Sequence, residues 1–343
     1  MAVTDSFATA ASITLIAPGL GAALRQSTGT IATTGALALL AGRGSVRQAW
    51  DRRELRDARL RTWQRGLLDV LGLDARQFAS APVSAKGENL ADDTGYWLHA
   101  ELIHLAAGLD RLSFLPLTGH AAVTLAEREA LAPLIAQHLE DSPLRLQAGA
   151  KGRWLLHSSS PLDLQTASPD AATANELEAV MPSGTAAGVL RRVMTECQML
   201  LHDHDVNERR QRRGLPAINS LWPWGGGVLA PQSARSLPQM FSDEEFSRGI
   251  YRLHSADVEA APADGSTLLE RATLTRPVVA VIELESSAAL EGEWVEPLVA
   301  ALRAGRIRRV DLVLDEWHIS ATRGMLRSFW RKPLPVSAWP TST

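Results

Sequence analysis

The sequence predicts an α/β fold, a mostly parallel central sheet with flanking helices. Three observations carry that expectation. Residues 277–284 form a near-continuous Val/Ile run, as a central strand covered on both faces requires. Residues 309–314 form a second such run, and residues 294–304 between them have the apolar spacing of a helix. Strand, helix, strand is the order from which parallel sheets are built. The 343 residues are expected to form a single composite unit, 1–343, with a flexible excursion over 157–175.

Residues 12–20, Ser-Ile-Thr-Leu-Ile-Ala-Pro-Gly-Leu, are short, apolar and β-branched, and read as a buried strand entering a loop. Over 46–71 the pattern turns helical: Leu60, Trp63, Leu67 and Leu71 recur at three and four residues, with arginines on the other face. Residues 95–105 fit strand and helix alike, and both stay open. Residues 127–139 read as a helix with Leu131, Leu134, Ile135 and Leu139 on its apolar side. Residues 144–147 and 153–156 flank Ala-Gly-Ala-Lys-Gly as the arms of a hairpin. The Ser/Asp/Ala/Thr-rich stretch 157–175 reads as a linker. The strongest helix runs over 187–213, with Leu190, Val193, Met194, Cys197, Leu200 and Leu201 in one stripe. Arg209, Arg210, Arg212 and Arg213 crowd its last turns, where the helix dipole favours cations. Gly214 stands where a C-terminal cap belongs, and Pro216 forbids continuation. Residues 218–222 then read as a strand running out into Trp224 and Gly225–Gly227.

Composition narrows the function. With 45% apolar and 21% charged residues the chain is globular, which excludes wholesale disorder. A net charge of −3 gives no global electrostatic reason to bind nucleic acid or an anionic membrane, and neither is expected as a partner. The one cysteine, Cys197, can form neither an internal disulfide nor a thiolate zinc site; on the apolar stripe it reads as a small buried hydrophobe. No basic residue precedes Arg25, so residues 13–20 lack the charged flank of a secretory signal. Residues 35–41 are too short to span a bilayer, and Gln26, Ser27 and Thr28 separate the two apolar stretches. A cytoplasmic location is expected.

The chemistry-bearing segment is 195–227, read as helix, cap, short connection, strand and glycine run. Asn207 and Asn219 sit within it, Arg209 and Arg210 close its helix, and Trp222 and Trp224 precede Gly225, Gly226 and Gly227. Adjacent glycines let backbone N–H groups turn inward around an anion, and nearby arginines can clamp a phosphate or carboxylate bidentately. These nine residues are the candidate phosphoester-binding set. The plainer alternative stays open beside it: the glycines let backbone pack against large rings, and the arginines form a solvated helix end. No Lys-Ser or Lys-Thr follows the glycines, so this is not a nucleotide P-loop.

Metal binding is weighed twice and expected in neither place. His202 and His204 are two apart, which on a helix points them to nearly opposite sides. Asp315, Glu316 and His318 follow a buried strand, where α/β proteins place ligands, yet an ordinary strand-end loop explains them as well. Trp97, His99 and His104 either line a pocket or fill the core. Ten tryptophans, scattered along the chain, read as core anchors.

The segment 196–227 resembles the bacterial RpfE-type regulatory proteins. Glu196, Gln198, Met199, Leu200, Leu201 and His202 fit that family's helix; Asn207, Arg209, Gly214, Asn219, Ser220, Leu221, Trp222, Trp224 and Gly225–Gly227 fit the run after it, while Thr195 replaces the usual Asn. The similarity extends to Pro18, to the stretch from Trp97 to Asp110, and to Trp330-Arg331-Lys332-Pro333. A weaker likeness, through His204, Val206, Asn207, Arg210, Gly214 and Asn219, is to the archaeal-type cofactor-independent phosphoglycerate mutases. It implies an alkaline-phosphatase-like, phosphoglycerate-mutase-like fold. Those mutases carry Asp-Gly after the first strand and a serine nucleophile with two metals; here the turn is Ala17-Pro18-Gly19 and no such set is found.

The resemblance therefore implies a non-catalytic cytoplasmic regulator, connected by family name to virulence regulation, that keeps a phosphoester-type pocket without metal or cofactor. Its expected partners are a small phosphorylated metabolite and a regulatory protein. A metal-dependent phosphoglycerate mutase or phosphatase with a rearranged site is the first alternative. A protein-interaction module using the arginine-rich helix end is the second.

Overall fold

The β-branched run at the start of the chain and both Val/Ile runs near its end are strands of one sheet. The computed structural model describes residues 11–26, 35–50, 59–90, 95–108, 112–284 and 286–340. Ser27, Thr28, Asp110 and the 51–58 portion of the expected helix lie outside the described residues. In chain order the elements are β1 (Ser12–Ile16), α1 (Leu20–Gln26), α2 (Ala36–Arg43), β2 (Ser45–Gln48), α3 (Thr62–Val70), α4 (Ser80–Gly87), β3 (Tyr96–Ala107), β4 (Leu112–Pro116), α5 (Leu125–His138), β5 (Arg145–Ala148) and β6 (Trp154–Ser158). Next come α6 (Pro169–Ala174), α7 (Leu177–Val180), α8 (Ala187–His202), α9 (Asp205–Arg212), β7 (Ser220–Val228) and β8 (Gln239–Ser242). The chain closes with α10 (Glu245–Leu253), α11 (Gly265–Arg271), β9 (Val278–Val281), α12 (Ser287–Ala289), α13 (Glu296–Ala304), β10 (Arg309–Leu314), β11 (Trp317–Thr322) and α14 (Arg323–Leu326).

Where the sequence reading expects one composite unit, the residues gather into two compact units. One holds Met1–Asp51, Thr62–Leu73 and Ser233–Thr343; the other holds Arg52–Arg61 and Asp74–Gln232. The cause is that each has its own sheet and its own apolar core.

The first unit is the expected mixed α/β layer. Among the described residues its sheet runs β2-β11-β10-β1-β9-β8, with β10, β1, β9 and β8 parallel and β11 and β2 antiparallel. β9 lies between β1 and β8 and is buried along its whole length, as its Val/Ile run requires. Leu15, Ala280 and Leu312 of the strands share one buried cluster with Leu298 and Leu302 of α13 and Leu37 and Leu40 of α2. The helix expected over 46–71 is corrected: Val46 lies in β2, paired with β11, and among the described residues of that range only α3 is helical. Trp63 and Leu67, which carry the helical period, do lie in α3, whereas residues 45–48 precede that period and pair at the sheet edge.

The second unit is antiparallel throughout, which the expectation of a mostly parallel sheet did not include. The long strand β3 carries β6 and β4 on one side and β7 on the other, with β5 outside β6. Hairpin β5–β6 is as expected. The ambiguous stretch 95–105 is strand, and its alternation explains why. Leu98, Ala100 and Leu102 enter the core with Leu131 and Ile135 of α5 and Leu190 and Cys197 of α8. Trp97, His99 and Glu101 therefore point to the opposite face.

Within 157–175, Thr166, Ala167 and Ser168 are buried and Ser168 caps α6. The single helix expected over 187–213 is corrected to two, α8 and α9. His204 breaks it: its imidazole Nδ1 accepts the Val206 N–H as the N-cap of α9.

Candidate functional site

The nine predicted residues all fall in the second unit, but the fold spends most of their polar groups internally. Asn207, buried, donates through Nδ2 to the Leu201 and Ile218 carbonyls and accepts the Ile218 N–H, each at 2.7 Å. Arg210 is fully buried. Its Nε donates to the Pro216 carbonyl (2.8 Å), Nη2 to the Ala121 carbonyl (2.6 Å) and Nη1 to both Glu127 oxygens (3.1 and 3.0 Å). Asn219 exchanges two bonds with the Leu105 backbone, extending the β3–β7 ladder by one side-chain rung. Trp222 is buried and donates to the Ala167 carbonyl at 2.8 Å. Arg209 alone of the arginine and asparagine candidates is exposed.

The glycine run is a second correction. Gly225–Gly227 are not an anion-cradling loop but lie inside β7. Gly225 has φ +67° at a bulge where two β7 residues oppose Leu98, a conformation glycine adopts without strain. A Cβ on Gly226 would stand 2.5 Å from the Tyr96 hydroxyl, and one on Gly227 2.6 Å from Ala79 Cβ. The alternative weighed from sequence, backbone packed against rings, describes this strand.

Neither metal reading gains support. His202 is exposed beside Asp203, and His204 is a helix cap. Asp315, with φ +51°, accepts the Gly19 N–H at 2.9 Å and so ties the end of β10 to the turn after β1. His318 bonds Asp311 on the neighbouring strand. Among the described residues no three His, Cys, Asp or Glu side chains converge to hold an ion. Cys197 is buried and its thiol is pushed up to about 12 by burial, with Glu196 adding to the shift, which makes it unreactive.

A polar constellation that sequence reasoning missed lies on the far face of β3. Trp224 stacks on His99, its direct partner across the ladder, with ring centroids 4.3 Å apart. The Arg61 guanidinium lies 5.0 Å from the Trp224 ring and is bonded to Glu101 and Asp170. Burial works against the Arg61 charge, but Glu101 and Asp170 outweigh it and hold its pKa above the ordinary value. His99 shares a 2.9 Å hydrogen bond with the Ser80 hydroxyl at the start of α4. Burial, reinforced by the charges of Arg61 and Arg153, pushes the imidazole down to about 3, so it is neutral at physiological pH. Ser80 is fully buried, which makes this pair a packing contact and not an accessible nucleophile.

Arg128 on α5 completes the group. It is half-buried, and burial pushes its pKa below the ordinary value; Glu101 and Glu127 pull it up, Arg153 pushes it further down. Its guanidinium makes no hydrogen bond or ion pair with another described residue. Three arginines thus gather around Glu101 and Asp170, and one of them, Arg128, makes no close ion pair with a described residue. The signal was present only as His99 and Glu101 alternating with apolar residues; the arginines come from three distant segments. Separately, α5 and α8 border a cleft of about 490 Å³ lined by Leu134, His138, Val189, Arg192 and Glu196. Glu196 there accepts from Arg192 and shares a hydrogen bond with His138, so the Arg192 and Glu196 charges are paired with each other.

Fold and site together define a mixed α/β protein carrying an antiparallel unit with a half-buried arginine–carboxylate cluster. No protein-family model matches the chain, and no curated protein matches it. Among solved structures it is similar to the cofactor-independent phosphoglycerate mutase from Thermoplasma acidophilum DSM 1728, at 17% identity over 97% of this chain and 96% of that one, with a TM-score of 0.43. It is also similar to the PH0037 protein from Pyrococcus horikoshii, at 14% identity over 92% and 88% of the two chains, TM-score 0.42. The RpfE-type resemblance has no counterpart among these matches.

Proposed function

We propose that this chain is a non-catalytic regulatory protein of the RpfE type that binds a small phosphorylated metabolite, and that the anion sits at the Arg61–Arg128–Arg153 cluster and not at the glycine run. One observation carries the reading: Arg128 is a half-buried guanidinium with no ionic partner among the described residues, beside a second arginine that disfavours its charge. A phosphate bridging the two would relieve that repulsion through charge-assisted hydrogen bonds. Asn207, Arg210 and Asn219 then hold the unit together and do not touch ligand, while Arg209 stays in solvent.

Melting temperature followed during titration with inorganic phosphate and phosphoglycerate tests this. Ligand at 100 times its dissociation constant stabilises by about 2.7 kcal/mol. The expected result is a saturating upward shift that Arg128→Ala abolishes. No shift with either anion, or an equal shift in the variant, overturns the site. Turnover in a coupled mutase assay with stoichiometric manganese or zinc overturns the non-catalytic half. The interaction reading keeps one observation in its favour: Arg209, Arg212 and Arg213 are all exposed at the end of α9. Binding of a protein partner that survives Arg128→Ala but not their replacement would select it.

A further inference from the structure

The C-terminal segment of the first unit carries a surface that the phosphate reading does not use. Phe329 and Trp330 are 80% and 70% exposed, and their rings meet edge to face at 5.4 Å. Two adjacent aromatic side chains held in water without a partner are a costly arrangement, and such patches mark contact sites. Their neighbours in sequence are Arg327, Arg331 and Lys332, all exposed. No Asp or Glu occurs after Glu316. The chain's net charge of −3 is a sum over its whole surface, whereas a ligand at this segment feels charges within a screening length of about 8 Å.

The segment is anchored on both sides, so the aromatic pair is presented by a fixed turn. Leu326 is buried, and its carbonyl accepts from Arg43 at 2.8 Å. Arg331 donates to the Arg43 and Gly44 carbonyls, and the Leu334 N–H bonds the Ala38 carbonyl. Beyond it, Trp339 packs edge-on against Trp317 at 5.1 Å.

We propose that this turn docks the protein on an anionic lipid surface, with Phe329 and Trp330 entering the headgroup region and Arg327, Arg331 and Lys332 facing lipid phosphates. Size and charge decide for lipid over a protein partner. Two aromatic side chains expose at most roughly 300–500 Å², short of the about 800 Å² per partner of a stable protein interface. Among the described residues the other large exposed apolar ones, Leu115, Leu125, Met199 and Val228, belong to the second unit. An aromatic tip flanked by cations is instead the composition of an interfacial anchor. Among the described residues no helix is long and apolar enough to cross a membrane, so the contact is peripheral.

The test is co-sedimentation of the full chain with phosphatidylcholine vesicles, with and without about 30% phosphatidylglycerol. Binding is expected only to the anionic vesicles, and released by high salt. Removing each of Arg327 and Lys332 weakens it about fivefold, and Phe329→Ala with Trp330→Ala weakens it at least about tenfold. All four side chains are exposed, so melting temperature serves as the folding control. Wild type remaining in the supernatant with anionic vesicles overturns the proposal. So does equal binding by the aromatic double variant, or salt-sensitive capture of soluble poly-glutamate, lost in that variant, without vesicle binding. The phosphate titration at Arg128 stands or falls separately.

Discussion

At the scale of single residues, the polar side chains of the 195–227 segment show how a binding motif and a structural staple can share a composition. Asn207 and Arg210 supply seven hydrogen bonds between them, and all reach protein atoms. Arg210→Ala would strand the Glu127 carboxylate and two carbonyls and is expected to destabilise by about 3–5 kcal/mol. Urea unfolding measures it, and the phosphate affinity of the folded fraction should not change. A drop in affinity at unchanged stability would restore Arg210 to the ligand site. His99 gives a pH prediction. Its folded pKa of about 3 lies below the ordinary 6.5, so neutral His99 contributes stability above pH 6.5 that is lost as pH falls towards 3. Between pH 7.5 and pH 5 the loss is about 2 kcal/mol. His99→Gln should flatten that part of the stability–pH curve; an unchanged slope would show that the imidazole is not buried neutral.

At the scale of elements, local signals and their failures have distinct causes. The helix over 127–139 was legible from the spacing of Leu131, Leu134, Ile135 and Leu139; its start two residues earlier, at Leu125, is fixed by a reciprocal capping box between Thr124 and Glu127 that the sequence reading did not use. Thr124→Ala is expected to cost about 1 kcal/mol. The hairpin β5–β6 and the strands β1, β9 and β10 were legible from period and β-branching. The break between α8 and α9 was not, since both sides keep helical composition and only the His204 cap stops the turn. The Gly225–Gly227 run was read as a loop because glycine usually ends strands; here it admits α4 and the ring of Tyr96 to the strand surface. Gly226→Ala is expected to lower stability by about 1–3 kcal/mol through overpacking, read as a fall in melting temperature with phosphate binding intact. Tolerance of alanine there would return the run to a loop reading.

At the scale of the whole molecule, two cores without a shared residue lie in two sheets of opposite character. Truncating one core should therefore loosen its own unit first. Leu156→Ala, in the antiparallel unit, is expected to cost about 2–5 kcal/mol and to raise amide exchange in β3, β6 and β7 while β1, β9 and β10 stay protected. Equal loss in both sheets would show one cooperative core. The parallel layer could be read from sequence because central strands are buried on both faces and must be apolar throughout. The antiparallel unit hides better: its strands mix polar and apolar residues, and the charged cluster on its polar face exists only where Arg61, Glu101, Arg128, Arg153 and Asp170 meet. By itself the sequence determined the α/β class, the parallel strands, the stop at Gly214 and Cys197 as a buried core residue, since periodicity and local hydrogen bonding act over a few residues. Tertiary structure alone decided which arginines are spent on carbonyls, as Arg210 is, and which, like Arg128, are left without a hydrogen bond to a described residue, because that depends on burial and on partners far away in the chain.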